Sequence, residues 1–113
     1  MGFVSPTYDV LIQVSGVSSS FRVKAGEKLE FLFKTGSPEQ VSLYSFELKK
    51  NMRSFAYARE NNMGRIFEEI KGLPVEVSIY GERSYKLVPA SPLAPGEYAI
   101  IIAEEVYTFG VDQ

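Results

Sequence analysis

Leu93-Ala94-Pro95-Gly96-Glu97-Tyr98 leads into Ala99-Ile100-Ile101-Ile102-Ala103 and, after Glu104-Glu105, into Val106-Tyr107-Thr108-Phe109-Gly110-Val111. Pro92 and Pro95 cannot donate to a sheet ladder and Gly96 supplies a permissive backbone, so residues 89 to 96 read as a connection and a strand begins at Glu97. The two apolar runs predict a closing hairpin with its turn at Glu104-Glu105. Its first strand, Tyr98 to Ala103, is apolar on both faces. An open two-layer sheet tolerates that only at its centre, or where the second face meets another element or a partner.

Upstream the pattern is also that of strands. Tyr8, Val10, Ile12 and Val14 alternate with Asp9 and Gln13 until Ser15-Gly16 breaks the run. Phe21 and Val23 alternate with Arg22 and Lys24 before Ala25-Gly26-Glu27. Leu29, Phe31 and Phe33 then alternate with Lys28, Glu30 and Lys34 as far as Thr35-Gly36-Ser37-Pro38, so these read as a second and third strand joined by a short hairpin at Ala25-Gly26-Glu27. A fourth strand is expected over Val41 to Leu48. In residues 52 to 59 the alternation sets Arg53, Phe55, Tyr57 and Arg59 on one side and Ser54, Ala56 and Ala58 on the other. Asn61-Asn62-Met63-Gly64 has turn chemistry, and Ile66, Phe67 and Ile70 suit one short helical turn near residues 65–71. Val75, Val77 and Ile79 form a further strand. Gly81-Glu82-Arg83 turns the chain into a return through Tyr85 and Leu87 that Pro89 ends.

Composition agrees with this pattern. At 113 residues the chain holds one core, and its 8 Phe and 7 Tyr weight the apolar content toward pleated surfaces. The net charge of −2 gives no field to draw in nucleic acid or an anionic membrane. The longest apolar run is far short of a membrane span of about 20 residues. Met1-Gly2-Phe3-Val4-Ser5-Pro6 has no basic stretch before an apolar one, so no signal peptide is expected there.

Leu93-Ala94-Pro95-Gly96-Glu97-Tyr98 resembles the Leu-x-Pro-Gly-x-Tyr entry to a late strand in many immunoglobulin-like and fibronectin-type domains. In those domains the Tyr hydroxyl bonds back to the backbone a few residues upstream, so the resemblance implies structural roles for Leu93, Pro95, Gly96 and Tyr98. The tail also resembles that of periplasmic copper-binding sandwiches of the CopC type. Those hold copper through His, with Met in some; this chain has no His, and Met1, Met52 and Met63 show no ligand spacing, so copper does not carry over. Small bacterial β-sandwich domains of unassigned function have similar tails. The resemblance slightly favours a periplasmic or secreted setting over the cytoplasm, while the residues leave the compartment open.

Zero His and zero Cys remove the commonest general base, the Ser-His-Asp arrangement, thiolate chemistry and the usual zinc sites together. Glu68-Glu69 and Glu104-Glu105 are the remaining carboxylate pairs, and adjacent residues project in different directions. No catalytic residue, metal or cofactor is therefore expected, and a hydrolase built on such carboxylates stays only as a residual alternative. The basic run Lys49 to Arg65 makes Arg53, Phe55, Tyr57 and Arg59 a candidate ligand or partner surface. They could serve an anion or sugar by ion pairing and stacking, or Phe55 and Tyr57 are core with the arginines reaching solvent at its margin. The expected molecule is all-β: a single domain over residues 1–113, an immunoglobulin-like two-sheet antiparallel sandwich of about seven to nine strands, with at most one helical turn. Its expected role is a non-catalytic interaction module, a protein-binding or structural domain of a bacterial protein. The alternative is a small carbohydrate- or anion-binding domain using the Arg53 to Arg59 face.

Overall fold

A computed structural model describes residues 7–36, 38–61 and 64–113. Met1 to Pro6, Ser37 of one expected turn, and Asn62 and Met63 of another lie outside the described residues. The described chain is all-β, as its alternation requires, with one turn of 3₁₀ helix at Pro38–Gln40. In order the strands are β1 Thr7–Ser15, β2 Arg22–Lys24, β3 Phe31–Lys34, β4 Val41–Ser45, β5 Glu47–Lys49 and β6 Met52–Asn61. There follow β7 Ile66–Glu69, β8 Val75–Gly81, β9 Ser84–Pro89, β10 Gly96–Ile102 and β11 Glu105–Asp112. The segment suited to a helical turn near 65–71 runs instead as β7, because it pairs with β6 across Arg59 and Glu68. A ladder partner outweighs the weak helical preference of so short a run.

Where two sheets are expected, the described strands form three ladders. The middle one has the order β2-β11-β10-β4, antiparallel except for the parallel β2–β11 pair. A second has the order β3-β9-β8, so the hairpin expected between the Phe21–Lys24 and Leu29–Lys34 strands does not form: β2 and β3 pair in different sheets. In the third, β6 has β1 on one edge and both β5 and β7 on the other. The closing hairpin turns at Ala103-Glu104, one residue earlier than expected, with Ala103 at φ 55°.

The apolar strand β10 explains the layering. Tyr98 and Ile100 join Leu43, Leu87, Phe109 and Val111 in one core, packed toward the β3-β9-β8 sheet. Ala99, from the opposite face of the same strand, joins Phe46 and Phe55 in a second core against β6, with Ile12, Val14, Tyr44 and Ile101 packed around it. The middle sheet is therefore covered on both sides. Leu43 and Leu87 are fully buried, each contributing roughly 2 kcal/mol by removal of apolar surface from water.

The single strand expected over Val41 to Leu48 divides at Phe46. Val41–Ser45 pairs with β10, the Phe46 N–H donates to the Glu97 carbonyl at 2.8 Å, and Glu47–Lys49 pairs with β6. One run of chain thus joins two layers. The molecule measures 53 × 35 × 23 Å with a Cα radius of gyration of 15.9 Å, against about 13 Å for a compact domain of this length. Stacked layers of unequal extent leave inner faces overhanging. Ile79, on the same face of its sheet as buried Leu87, is 81% exposed.

Candidate binding cleft

Arg53, Phe55, Tyr57 and Arg59 all fall on β6, but they do not share one face as expected: a β-bulge at Tyr57, between the Leu11–Ala56 and Val10–Ala58 pairs, breaks the alternation, so Phe55 and Tyr57 pack on the middle sheet, Ala58 is buried and Arg59 is turned out. Phe55 is buried, stacked on Tyr44 at 4.5 Å between ring centroids and edge-on to Phe46 at 5.3 Å. Tyr57 is half-buried at the same core. The two arginines part company. Arg53 is 4% exposed: its Nε donates to the Gly16 carbonyl at 3.1 Å and its Nη2 to the Ser15 carbonyl at 3.0 Å, and its guanidinium lies over the Phe46 ring. Arg59 is out in solvent, between Asp9 at 3.4 Å and Glu68 at 3.3 Å. Arg53 and Phe55 are therefore spent on holding two layers together and offer no open face to an anion or sugar.

The tail motif carries an ion network that the sequence does not reveal, buried at Glu97 and Arg53 and open to solvent at Arg22 and Asp112. Glu97 is 6% exposed on the face of β10 that looks toward β6. Its Oε1 accepts the Ser19 N–H at 2.7 Å and lies 3.9 Å from Arg53 Nη1; its Oε2 accepts Arg22 Nη1 at 2.7 Å. Arg22 also makes a two-pronged contact with Asp112 at 2.7 and 3.3 Å. The Asp112 and Glu97 carboxylates stabilise the charged guanidinium and raise the Arg22 pKa; the bond from Arg22 holds Asp112 below the ordinary carboxylate range. Arg22 reaches both acids by crossing Gly110, where a Cβ would stand 2.1 Å from its Nη1. Tyr98, pointing the other way from Glu97, donates its hydroxyl to the Ala94 carbonyl at 2.5 Å, and burial pushes its pKa up. Gly96 packs beside that ring, and half-buried Leu93 packs against the core that contains it. Pro95 sits in the exposed connection between them.

A broad concavity lies elsewhere. A cleft of about 1060 Å³ opens between β3 and the β10–β11 hairpin. Its aromatic walls are Phe31 and Phe33 from β3, Phe109 and Tyr107 from β11, and Phe21 just before β2; Ile100 and Ile102 form its floor. Period two puts Phe31 and Phe33 on one face of β3, and Tyr107 and Phe109 on one face of β11. Phe31 and Phe109 close the deep end at 4.8 Å between centroids. Toward the mouth, Phe21 is 59% and Tyr107 51% exposed. Lys34 stands on one rim and Glu104 and Glu105 on the other. Glu105 accepts the Tyr107 hydroxyl, which raises the Tyr107 pKa.

Every wall residue except Phe21, which stands just before β2, belongs to a strand legible in the sequence. Their convergence is not legible, because alternation assigns faces within a strand and says nothing about which strands face each other. Of the carboxylate pairs, Glu68 is engaged by Arg59, and Glu104-Glu105 marks the hairpin tip. Among the described residues no group of three or more carboxylates is placed to hold a metal ion, and no helix is long and apolar enough to cross a membrane. No family model, curated protein or solved structure matches the chain.

Proposed function

We propose that this chain is a non-catalytic immunoglobulin-like module that binds a partner protein in the cleft between β3 and β11. Strand order supports the architecture: β3-β9-β8 facing β4-β10-β11 corresponds, in chain order, to strands B-E-D over C-F-G of an immunoglobulin domain. The Tyr98 to Ala94 bond, at the entry to the strand equivalent to F, supports it further. On this reading β1 and β5 to β7 are an added layer that covers the outer face of the C-F-G sheet.

The observation that carries the binding role is the aromatic lining of the cleft, exposed at its mouth through Phe21 and Tyr107. Aromatics of this kind, half in water around a concave apolar floor, are the anchors that protein interfaces use. The accessible surface of 8075 Å² exceeds the roughly 6,200 Å² of a compact monomer of this mass. That excess is larger than the roughly 800 Å² one partner contributes to a standard interface.

The test is selection of displayed linear and disulfide-closed peptides on the wild-type protein, followed by affinity measurement against Phe21→Asp and Tyr107→Asp. Both side chains are mostly solvent-exposed, so both variants should fold. Binders that lose at least about tenfold in affinity on either variant are expected. Absence of binders, or binders indifferent to both substitutions, overturns the proposal.

A further inference from the structure

Resting on that cleft as the binding site, we infer that its occupant is an extended segment of the partner, docked as an added strand on the free edge of β3. Phase decides which backbone groups are free. Phe31 and Phe33 pair with Leu87 and Tyr85 of β9, and the Thr35 N–H donates to the Arg83 carbonyl at 3.3 Å. In an antiparallel ladder bonding alternates, so Phe31, Phe33 and Thr35 turn their backbone groups to β9, while Leu32 and Lys34 turn theirs away. Those outward groups meet no hydrogen-bonding partner among the described residues, and both residues border the cleft.

The opposite wall shows the same phase. The Gly110 N–H donates to the Phe21 carbonyl and the Thr108 carbonyl accepts the Ser19 hydroxyl, so the even positions of β11 face outward. β2 covers that edge only from Gly110 to Asp112. Toward the hairpin tip the outward groups of Val106 are left without a partner among the described residues. Two partly open edges thus flank one apolar trough.

A compact ligand could stack on the aromatics, but a row of outward N–H and C=O groups beside them is matched by another strand. Four residues of β3 offer a ladder of about 13 Å, enough for a segment of roughly four to six residues. With period two, alternate side chains of that segment enter between Phe33 and Tyr107 and must be apolar. Charge sets the rest of its chemistry. Glu104 and Glu105 make no ion pair among the described residues, whereas Glu97 and Asp112 are taken by Arg22. The segment therefore carries Lys or Arg at the end that lies by the hairpin tip.

The experiment uses the peptides selected on the full chain. Expected are linear sequences with apolar residues at every second position and a terminal base, which slow hydrogen exchange of the Leu32 and Lys34 amides by about tenfold or more on binding. Leu32→Pro removes one of the outward donors without breaking a ladder bond to β9, and edge strands tolerate Pro in that orientation. It should cut affinity by about tenfold or more. N-methylation of alternate peptide amides should do the same, and that control leaves the protein untouched if Leu32→Pro misfolds. Peptides that depend on Phe21 and Tyr107, yet give no protection at Leu32 and Lys34 and tolerate N-methylation at each amide, overturn strand addition and leave the cleft as the site. Failure of any peptide to bind overturns both.

Discussion

Arg53 Nη1 and Glu97 Oε1 face each other at 3.9 Å across the seam between β6 and β10, each side chain about 95% withdrawn from solvent. One residue belongs to the Arg53 to Arg59 stripe and the other to the Leu93 to Tyr98 tail, so the two most conspicuous stretches of sequence meet. Arg53 Nη1 makes no hydrogen bond among the described residues, so the nearby Glu97 carboxylate compensates its charge by proximity. Glu97 also receives Ser19 and Arg22.

Removing the acid strands a buried cation and an orphaned N–H together. Glu97→Ala should therefore lower stability by about 3 kcal/mol, read as a shift in the urea midpoint at unchanged slope. A loss below about 0.5 kcal/mol would contradict the role assigned to Glu97.

The two ends of the pH range should report different residues. Asp112 is held below its unfolded value of about 3.9 by the bond from Arg22. Its contribution to stability is therefore fully present above roughly pH 4 and lost as pH falls through the depressed folded value. In urea titrations between pH 7 and pH 2, wild type and Asp112→Asn should differ at neutral pH and converge in acid.

Tyr98 behaves in the opposite sense. Burial raises its folded pKa above the unfolded value of about 10, so the neutral hydroxyl stabilises the fold below that value, and the contribution is lost as pH rises through the folded pKa. Tyr98→Phe should cost about 1 kcal/mol at neutral pH through the lost bond to Ala94. It should also flatten the alkaline limb of the stability profile.

Gly72 tolerates no side chain. A Cβ there would stand 2.0 Å from the Leu43 carbonyl oxygen, which accepts the Leu73 N–H at 2.7 Å. Because the clash is with backbone of a fully buried residue, Gly72→Ala must push residues 70 to 73 off the edge of β4. Thermal unfolding should show a loss of several degrees, on the order of 2 kcal/mol. Unchanged melting would mean that the segment does not lie against Leu43.

At the hairpin tip a gain is expected. Ala103 sits at φ 55°, a conformation that burdens a residue with a Cβ and suits Gly. Ala103→Gly should raise stability by about 0.5–1 kcal/mol, measured by the same denaturant titration.

Alternation along β1, β3 and β8 was enough to name strands, because period two is a local property of extended chain, but not to say which of their apolar residues are covered: Tyr8 is 54% and Ile79 81% exposed. The two-sided apolarity of Tyr98 to Ala103 likewise announced a strand covered on both faces, and the layers on either side of β10 are what covers it. The same local logic failed where a partner strand decided the outcome. Ile66 to Glu69 became β7 because β6 offers it an edge. Val41 to Leu48 was divided at Phe46 because one run of chain had to serve two layers.

The stripe from Arg53 to Arg59 makes the division plainest. The common face of Arg53, Phe55 and Tyr57 follows from the sequence, since residues two apart on a strand point the same way, whereas the bulge at Tyr57 that turns Arg59 to the other face does not. Whether that face meets solvent or another sheet depends on where β10 lies, more than 35 residues downstream. Composition excluded thiolate and histidine chemistry outright, because the atoms are missing. The all-β class and the closing hairpin were within reach of the sequence alone, being set by alternation and turn residues within short stretches, and the bond made by Tyr98 is what the resemblance of its tail implies. The Arg22–Glu97–Arg53 seam and the aromatic cleft between β3 and β11 were decided only by tertiary structure. Each gathers side chains from strands far apart in the chain, and no local period records which of those strands will face one another.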